Sequence, residues 1–247
     1  ITILNDGKIT GTAGEKIIGI YANNTHATAV SKIKNDTNGN IDLTGGNGNV
    51  GIYSTGRSSA GLGAINYGTI TVGGTDLVAK EYGIGMATGY YNETTDTVSN
   101  QGTIINRGTI EVSKPNTMGM YAVGVGSKAI NYGYINLTGS ETIGMYIDRE
   151  AVGENWGTIQ TTASGLTKVK GVYVANGGYI KNYGVINIAA SDLKSAGIWT
   201  DNANRAEEDA TGTNPVTGTV QTGTSTPAMK VVTADDMKEM GGVTIKV

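Results

Sequence analysis

Three short acidic clusters contain the residues whose types could support acid–base chemistry. They are Asp148-Arg149-Glu150, Glu207-Glu208-Asp209 and Asp235-Asp236. Hydrolysis of a glycosidic bond requires two carboxyl groups held about 5 to 10 Å apart. The first cluster follows an apolar strand that ends at Ile147, where a solvated turn is expected. The other two lie in a polar tail, where an exposed loop and a helix cap explain them. We therefore predict no catalytic residues.

The other residue types that support chemistry are too few or lack the required context. His26 is the single histidine and the chain has no cysteine, so neither a catalytic triad nor a histidine or cysteine metal cluster can be assembled. Gly83-Ile84-Gly85 and Gly124-Val125-Gly126 lack the strand-to-helix context of a phosphate-binding loop, and we interpret them as turn glycines. We predict no metal and no cofactor.

Charge and hydropathy exclude two kinds of partner. The formal net charge is −3 and the lysines and arginines are scattered singly, so we expect no nucleic-acid partner. No run approaches the roughly 18 apolar residues that a transmembrane helix needs. The chain begins within a repeat pattern and has neither an initiating Met nor a leader, so we expect a fragment or a processed segment.

The chain is organised by a repeat with two alternating anchor motifs. The first is Asn-x-Gly-x-Ile-x-aliphatic, and its copies start at Asn66, Asn106, Asn131 and Asn182, with weaker copies at Asn5, Asn35 and Asn155. The second is Gly-aliphatic-Tyr, and its copies start at Gly19, Gly51, Gly119, Gly144 and Gly171, with Trp at Gly197-Ile198-Trp199 and no aromatic at Gly85-Met86-Ala87. The anchors alternate strictly and give seven repeats, each near the length of one β-solenoid coil.

Alternation within the anchors predicts strands with one buried and one wet face. In the first anchor, Ile110 and Val112 would face inward and Glu111 outward. In the second anchor, the residues on either side of the glycine would face inward, which directs the glycine and the tyrosine outward. The inward pairs would be Ile18/Ile20, Val50/Ile52, Ile84/Met86, Met118/Met120 and Ile143/Met145.

One repeat is too small to bury its apolar residues, so the repeats must stack. Stacking would place the anchor asparagines in a column whose amides bond to one another, namely Asn66, Asn106, Asn131, Asn155 and Asn182. The following residues would form an outward stripe, namely Tyr67, Arg107, Tyr132, Trp156 and Tyr183. Stacked aromatics can bind sugars or cations, but they can also simply stack on one another.

These patterns predict an all-β fold, a right-handed parallel β-helix of about seven coils over residues 1–200. We expect residues 201–229 to be a polar loop or linker. Residues 230–247 would form a short helix and strand that could begin a further coil.

The alternating anchors resemble those of the very long type V autotransporter adhesins of the fusobacterial kind. Their passengers carry many copies of Asn-Tyr-Gly-x-Ile-x-aliphatic alternating with Gly-Ile-Tyr, and the resemblance covers about residues 1 to 200. It implies an extracellular passenger segment at the bacterial cell surface. Attachment would run through an outer-membrane barrel absent from this chain. The implied partners are host-cell or bacterial surface proteins or glycans.

Two function classes follow. We favour a rod that acts in adhesion or display, including a pure spacer, and the alternative is a β-helical carbohydrate-active enzyme, a lyase or glycosidase. The expected contact surface is Tyr132, Trp156 and Tyr183. The repeat between Gly68 and Gly108 is long (108 − 68 = 40 residues), so we expect an insertion that projects around residues 90–100 and joins that surface.

Overall fold

The computed structural model describes residues 2–24, 32–56, 63–202, 218–233 and Met237. These ranges form the following strands: β1 (Thr2–Asn5), β2 (Lys8–Thr10), β3 (Ile18–Asn24), β4 (Lys32–Asn35), β5 (Asn40–Asn47), β6 (Val50–Gly56), β7 (Ala64–Asn66), β8 (Thr69–Gly74) and β9 (Ile84–Thr88). The middle strands are β10 (Tyr90–Asn92), β11 (Thr97–Ser99), β12 (Thr103–Asn106), β13 (Thr109–Val112), β14 (Met118–Val123), β15 (Lys128–Asn131), β16 (Tyr134–Leu137) and β17 (Ile143–Asp148). The last strands are β18 (Val152–Asn155), β19 (Thr158–Thr161), β20 (Lys170–Ala175), β21 (Tyr179–Asn182), β22 (Val185–Ile188), β23 (Ala196–Thr200), β24 (Thr219–Thr222) and β25 (Met229–Val231).

Three long parallel sheets carry the fold. The first sheet has the order β1-β4-β7-β12-β15-β18-β21, the second β2-β5-β8-β13-β16-β19-β22-β24, and the third β3-β6-β9-β14-β17-β20-β23-β25. Each coil adds one strand to each sheet in turn, so the chain winds as a right-handed parallel β-helix, which confirms the predicted fold class. At about 4.8 Å between strands, the eight strands of the second sheet span about 34 Å.

The interior core is built by the aliphatic residues of the first anchor together with those that follow the glycine of the second. Ile70, Ile110, Ile135 and Ile186 have no exposed surface, and they pack with Met86, Met120 and Met145. The register aligns equivalent residues, for example Ile110 with Ile135 and Ile135 with Ile159. The predicted inward face of the first anchor is confirmed.

The third sheet differs from the prediction because its strands from β6 to β23 are buried on both faces. Val50, Ile84, Met118 and Ile143 do not join the interior core; they belong to a second cluster on the outer face. That cluster also contains the anchor tyrosines, namely Tyr53, Tyr121, Tyr146 and Tyr173, with at most 3% of their surface exposed. The prediction that the residue before the glycine points inward is wrong.

The anchor glycine itself faces the core, which explains the shift in alternation. A Cβ on Gly119 would lie 2.6 Å from the side chain of Ile135 in the second sheet and 2.6 Å from the carbonyl oxygen of Gly144. A real Cβ does not tolerate such contacts. The second and third sheets can approach this closely because Gly119 has no side chain. Gly85 occupies the same place within β9 and is not a turn glycine, whereas Gly124 has the positive φ of a turn glycine.

The insertion in the long repeat folds back onto the outer face of the third sheet. Strands β10 and β11 form an antiparallel hairpin that pairs Tyr91 with Val98. Tyr91 is buried and Val98 packs against the second cluster, while residues 93–97 at the tip are exposed. The hairpin therefore covers the tyrosines, and only its tip projects.

The solenoid continues beyond residue 200. Strand β24 pairs with β22, so that Val220 lies beside Ile186, and β25 pairs with β23. Of the segment 201–229, expected to be a loop or linker, the structure describes residues 201–202 and 218–229, and the latter contain β24 and the first residue of β25. Of the segment 230–247, the structure describes 230–233 and Met237, so the expected helix and strand lie mainly outside the described residues. No helix of the described ranges could cross a membrane.

Candidate functional site

The anchor asparagines form a buried column at the corner between the first and second sheets. The strands β12, β15, β18 and β21 end on Asn106, Asn131, Asn155 and Asn182, which the register places side by side. Each Nδ2 donates to the Oδ1 of the next asparagine at 2.7 to 2.8 Å, in the order Asn5, Asn35, Asn66, Asn106, Asn131, Asn155, Asn182. From Asn35 to Asn182, all have no exposed surface.

The amides also donate to backbone carbonyls, in their own turn for Asn66 and Asn131 and in the next coil for Asn155, which donates to Val185 at 3.2 Å. Asn131 Nδ2 also donates to the carbonyl of Gly133 at 3.3 Å, and Asn66 Nδ2 donates to that of Gly68 at 3.1 Å. An amide therefore joins its own turn and the neighbouring coil at once, which satisfies the donors and the acceptor of a fully buried side chain. The column positions the turn that follows it.

The residue after each asparagine forms a second column on the surface of this corner. Its backbone N–H donates to the carbonyl of the preceding coil's asparagine, at 2.7 Å for Tyr132, Trp156 and Tyr183. This fixed bond holds the rings in register. Tyr132 and Trp156 stack with centroids 6.3 Å apart, and Trp156 and Tyr183 with centroids 4.0 Å apart, both pairs at 19°.

The stacking determines which parts of the rings are available to a ligand. One face of Trp156 is covered by Tyr183, whereas the Tyr132 ring is nearly parallel to Trp156 but further away. Tyr132 and Trp156 are nevertheless 41% and 47% exposed, which means that ring edges and polar atoms meet the solvent. The arrangement can make edge contacts and hydrogen bonds.

Cations extend the aromatic column toward the N-terminus. The Arg107 guanidinium lies 4.4 Å from the centroid of the Tyr132 ring, and the Lys34 ammonium lies 4.8 Å from that of Tyr67. Trp156 Nε1 donates to the Glu154 carboxylate at 3.2 Å, and Glu154 pairs with Lys128. The corner therefore presents aromatic edges framed by both signs of charge.

The acidic cluster at 148–150 has a structural role. Asp148 is 1% exposed, so the expected solvated turn is wrong for this residue. Its carboxylate accepts from Asn176 Nδ2 at 2.7 Å and from the Arg149 guanidinium, whose carbon lies 3.2 Å from the centroid of the Tyr91 ring. Burial raises the pKa of the Asp148 carboxyl above its ordinary value, against the opposing effect of Asn176 and Arg149.

Several other candidates fall outside the described residues, namely His26, Glu207-Glu208-Asp209 and Asp235-Asp236. Within the described ranges, no three histidine, cysteine or acidic side chains come together in a way that could hold a metal ion. Sequence reasoning did not find a second polar ladder on the outer face of the second sheet, where Gln160 donates to Asn136 and Asn136 donates to Glu111. The sequence contained a signal for this ladder, since a polar residue follows the isoleucine in three successive copies of the first anchor.

The family model described as the BigA third pectate lyase-like domain matches residues 1–155. The matched range ends at Asn155, so it includes Tyr132 and stops before Trp156. No curated protein and no solved structure matches the chain.

Proposed function

Because the chain belongs to the family of the BigA third pectate lyase-like domain, we propose that it is a rod segment of a bacterial surface protein, acting in adhesion. The partners in this proposal are proteins or glycans on host cells or on other bacteria. We propose further that this surface protein is an autotransporter of the fusobacterial type and that the chain is part of its passenger. A membrane-barrel domain encoded downstream in the same open reading frame would support it.

The observation that carries the proposal is the unbroken coil-to-coil continuity of the structure. The amide column runs from Asn5 to Asn182, and the three sheets run beside it over the same coils. In a stacked repeat each unit contacts its neighbours, so a continuous ladder produces a stiff rod with side chains at fixed intervals. Such a rod supports regular surface contacts at a distance from the cell.

The proposal has two contact surfaces: the aromatic column Tyr132, Trp156 and Tyr183 at the corner between the first and second sheets, and, separately, the hairpin tip at residues 93–97 over the third sheet. Exposed aromatic edges with adjacent charges are typical of residues that anchor recognition. Neither the column's rings nor the tip is needed to close the interior core, so both can vary without unfolding the rod.

The proposal assigns no catalytic residue to the described ranges. A lyase or glycosidase has less support, because the best acidic cluster inside the solenoid places Asp148 below the surface and pairs it with Asn176 and Arg149. A general acid or nucleophile must reach the bond that it cleaves, and this carboxylate is committed to packing.

Attachment of the isolated segment to cells tests the proposal. Beads coated with the purified segment should attach to target cells. Substituting Tyr132, Trp156 and Tyr183 together by Ser should reduce attachment about thirtyfold or more, since loss of a hot-spot aromatic residue costs about 2 kcal/mol or more. A matched control replaces three other exposed apolar residues by Ser, namely Leu4, Tyr21 and Val125.

The control variant should attach as the wild type does. Circular dichroism must show that all the proteins retain the β fold. If the folded wild-type segment attaches no better than bare beads, the adhesion role is wrong for this segment and it acts as a spacer. If both triple variants lose attachment equally, the contact surface is not the aromatic column.

A further inference from the structure

A groove of about 300 Å³ lies at the turns that lead into the third sheet. Three ammonium groups and one carboxylate line it, together with an amide and two aliphatic side chains. The lining residues are Lys168, Lys170, Lys194, Glu141, Asn116, Leu77 and Ile143. The groove is on a different corner of the solenoid from the aromatic column, which lies between the first and second sheets.

Four of these residues occupy one position of the repeat in successive coils. Asn116, Glu141, Lys168 and Lys194 each stand three residues before the glycine of the second anchor. Backbone bonds join the first three of these coils, since Asn116 N donates to the Glu141 carbonyl at 2.7 Å and Glu141 N donates to that of Thr167, next to Lys168, at 2.9 Å. At about 4.8 Å per coil, the four positions span about 14 Å along the rod axis. The groove therefore runs lengthwise, which suits an extended polymer better than a compact ligand.

The turns that carry Lys168 and Lys194 are joined to each other through the Asp192 side chain. The Asp192 carboxylate accepts from the backbone N–H of Lys194 at 2.8 Å, from that of Lys168 at 3.3 Å, and from Ser195 Oγ at 2.6 Å. These bonds fix the backbone from which both ammonium groups extend. Asp192 also brings a negative charge near the groove, so the site is not uniformly basic.

The groove reverses the sign of the chain's overall charge. The whole chain has net charge −3, whereas the groove lining holds three ammonium groups against the Glu141 carboxylate, which pairs with Lys168 at 2.8 Å. Lys170 is 9% exposed, and its ammonium lies 4.7 Å from the centroid of the Trp199 ring. The Lys230 ammonium lies 4.4 Å from the same centroid.

The register places Lys170 in the coil before Trp199 and Lys230 in the coil after it, so the indole lies between the two ammonium groups and stabilises both. Lys170 Nζ also donates to the Lys168 carbonyl at 3.4 Å, which holds its positive charge beside Lys168 in the groove. Sulfate and carboxylate groups match lysine ammonium donors. The Asn116 amide and the Glu141 carboxylate can bond to hydroxyl groups, and Leu77, which is 51% exposed, offers an apolar contact.

From this combination we propose that the groove binds a linear acidic polysaccharide, with its sulfate or carboxylate groups on Lys168, Lys170 and Lys194 and its chain along the rod axis. The inference names a partner for the proposed adhesive role and rests on that role only for its biological setting. Binding in solution can therefore succeed or fail independently of attachment to cells.

The test is titration calorimetry of the whole chain with three probes: dextran sulfate, hyaluronate and neutral dextran. We expect binding of at least one acidic probe at about 0.05 M salt, weaker binding at about 0.15 M, and none of neutral dextran. The two acidic probes distinguish sulfate from carboxylate as the recognised group. Replacing Lys168, Lys170 and Lys194 together by Gln should weaken binding about tenfold or more.

The matched control replaces Lys8, Lys34 and Lys128 by Gln, three lysines that pair with acidic residues on the first and second sheets. Both variants change the net charge equally, from −3 to −6. If only nonspecific electrostatic attraction bound the polysaccharide, both variants would lose the same affinity. Because Lys170 packs on Trp199, a second variant with only Lys168 and Lys194 replaced guards against misfolding, and it should weaken binding in the same direction.

Three results would overturn the proposal. The first is no binding of either acidic probe by the folded wild-type chain. The second is an equal loss in the groove and control variants. The third is binding of anionic phospholipid vesicles without binding of either acidic polysaccharide, which would identify the corner as a lipid-surface contact. If binding is lost specifically in the groove variant while bead attachment to cells is absent, the groove stands and the adhesive role fails.

Discussion

Two columns of side chains run along this solenoid, and they are buried in different ways. The asparagine column from Asn5 to Asn182 is enclosed by the repeat itself, since each member's partners lie in its own turn and in the adjacent coils. The tyrosine column on the outer face of the third sheet, with Tyr121 near its middle, is enclosed by segments that occur only once. These are the β10–β11 hairpin and, toward the C-terminus, Val232 and Met237.

The difference shows what each column contributes. The asparagine column supplies register, because one misplaced coil would leave buried amides without partners. The tyrosine column supplies apolar burial and attaches the single-copy segments to the rod, as where Tyr53 donates to the Gly89 carbonyl and Tyr173 to that of Met237. Substitutions in the asparagine column should destabilise the stacking of the coils. Substitutions in the tyrosine column should also detach the single-copy segments, such as the β10–β11 hairpin, that cover it.

The largest effect is expected at Tyr121. Replacement by Ala removes a side chain that is 1% exposed and leaves a cavity beneath the hairpin, which should cost about 3 to 5 kcal/mol of unfolding free energy. Urea unfolding measures the loss, and limited proteolysis should show faster cleavage at the hairpin tip.

The matched control is Tyr121→Phe. The Tyr121 hydroxyl is buried and finds no hydrogen-bond partner within the described part of the chain. Its removal should leave stability unchanged or raise it slightly, because a buried, unpaired polar group is itself unfavourable. A loss with Phe as large as that with Ala would contradict the view that this column acts through apolar burial.

A smaller loss is expected at Asn131 in the first column. Asn131→Ala takes one of its acceptors from Asn106 and leaves the Asn155 Oδ1 without its amide donor, which should cost about 1 to 3 kcal/mol. The control is Asn136→Ala, a half-buried amide on the outer face, which should cost clearly less. Equal unfolding midpoints for Asn131→Ala and the wild type would count against the column as a determinant of stability.

The sequence predicted most of what the repeat encloses. Strict alternation in the first anchor identified the inner face at Ile110 and Val112, and the recurring Asn-x-Gly placed the asparagines at one point in each coil. It did not predict what lies over the third sheet, because the covering hairpin appears once and has no period. Met118 was assigned to the wrong face, since the glycine after it takes the inward place and shifts the alternation by one residue.

The lysine groove shows the same limit from another side. Lys168 and Lys194 show no fixed spacing along the sequence because the repeat length varies. Counting back three residues from each anchor glycine places them in one row with Glu141. That alignment was available from the sequence, but the burial of Lys170 against Trp199 depends on how the coils stack.

The free energy of unfolding should also depend on pH through Asp148. This carboxylate pairs with Arg149, whose guanidinium lies on the Tyr91 ring of the hairpin that covers the tyrosine column. Burial raises the pKa of this carboxyl above 3.8, so the folded protein holds the proton more tightly than the unfolded chain does. The resulting stabilisation is fully present below about pH 3.8 and is lost as the pH rises through the raised pKa. Asp148→Asn cannot titrate.

The unfolding free energy of the wild type minus that of Asp148→Asn should therefore fall as the pH rises from about 4 to about 7. Urea unfolding of both proteins at several pH values measures this difference. A difference that stays constant, or that rises with pH, would show that the ion pair with Arg149 outweighs burial and that this carboxylate stabilises the cover in its charged form.

The smallest effect is expected at Arg107, on the exposed column beside the asparagines. Its guanidinium lies 4.4 Å from the Tyr132 ring centroid at the surface, where a cation–π contact contributes roughly 0.5 to 1 kcal/mol. Arg107→Ala should cost no more than that, and Arg107→Lys less, because an ammonium keeps the charge but not the planar stacking. A double-mutant cycle with Tyr132→Leu isolates the contact from the loss of the arginine stem. A coupling energy several times larger would mean that the exposed column, like the buried one, holds the coils together. The stacked rings of the exposed column would then be explained by stability, without any role in recognition.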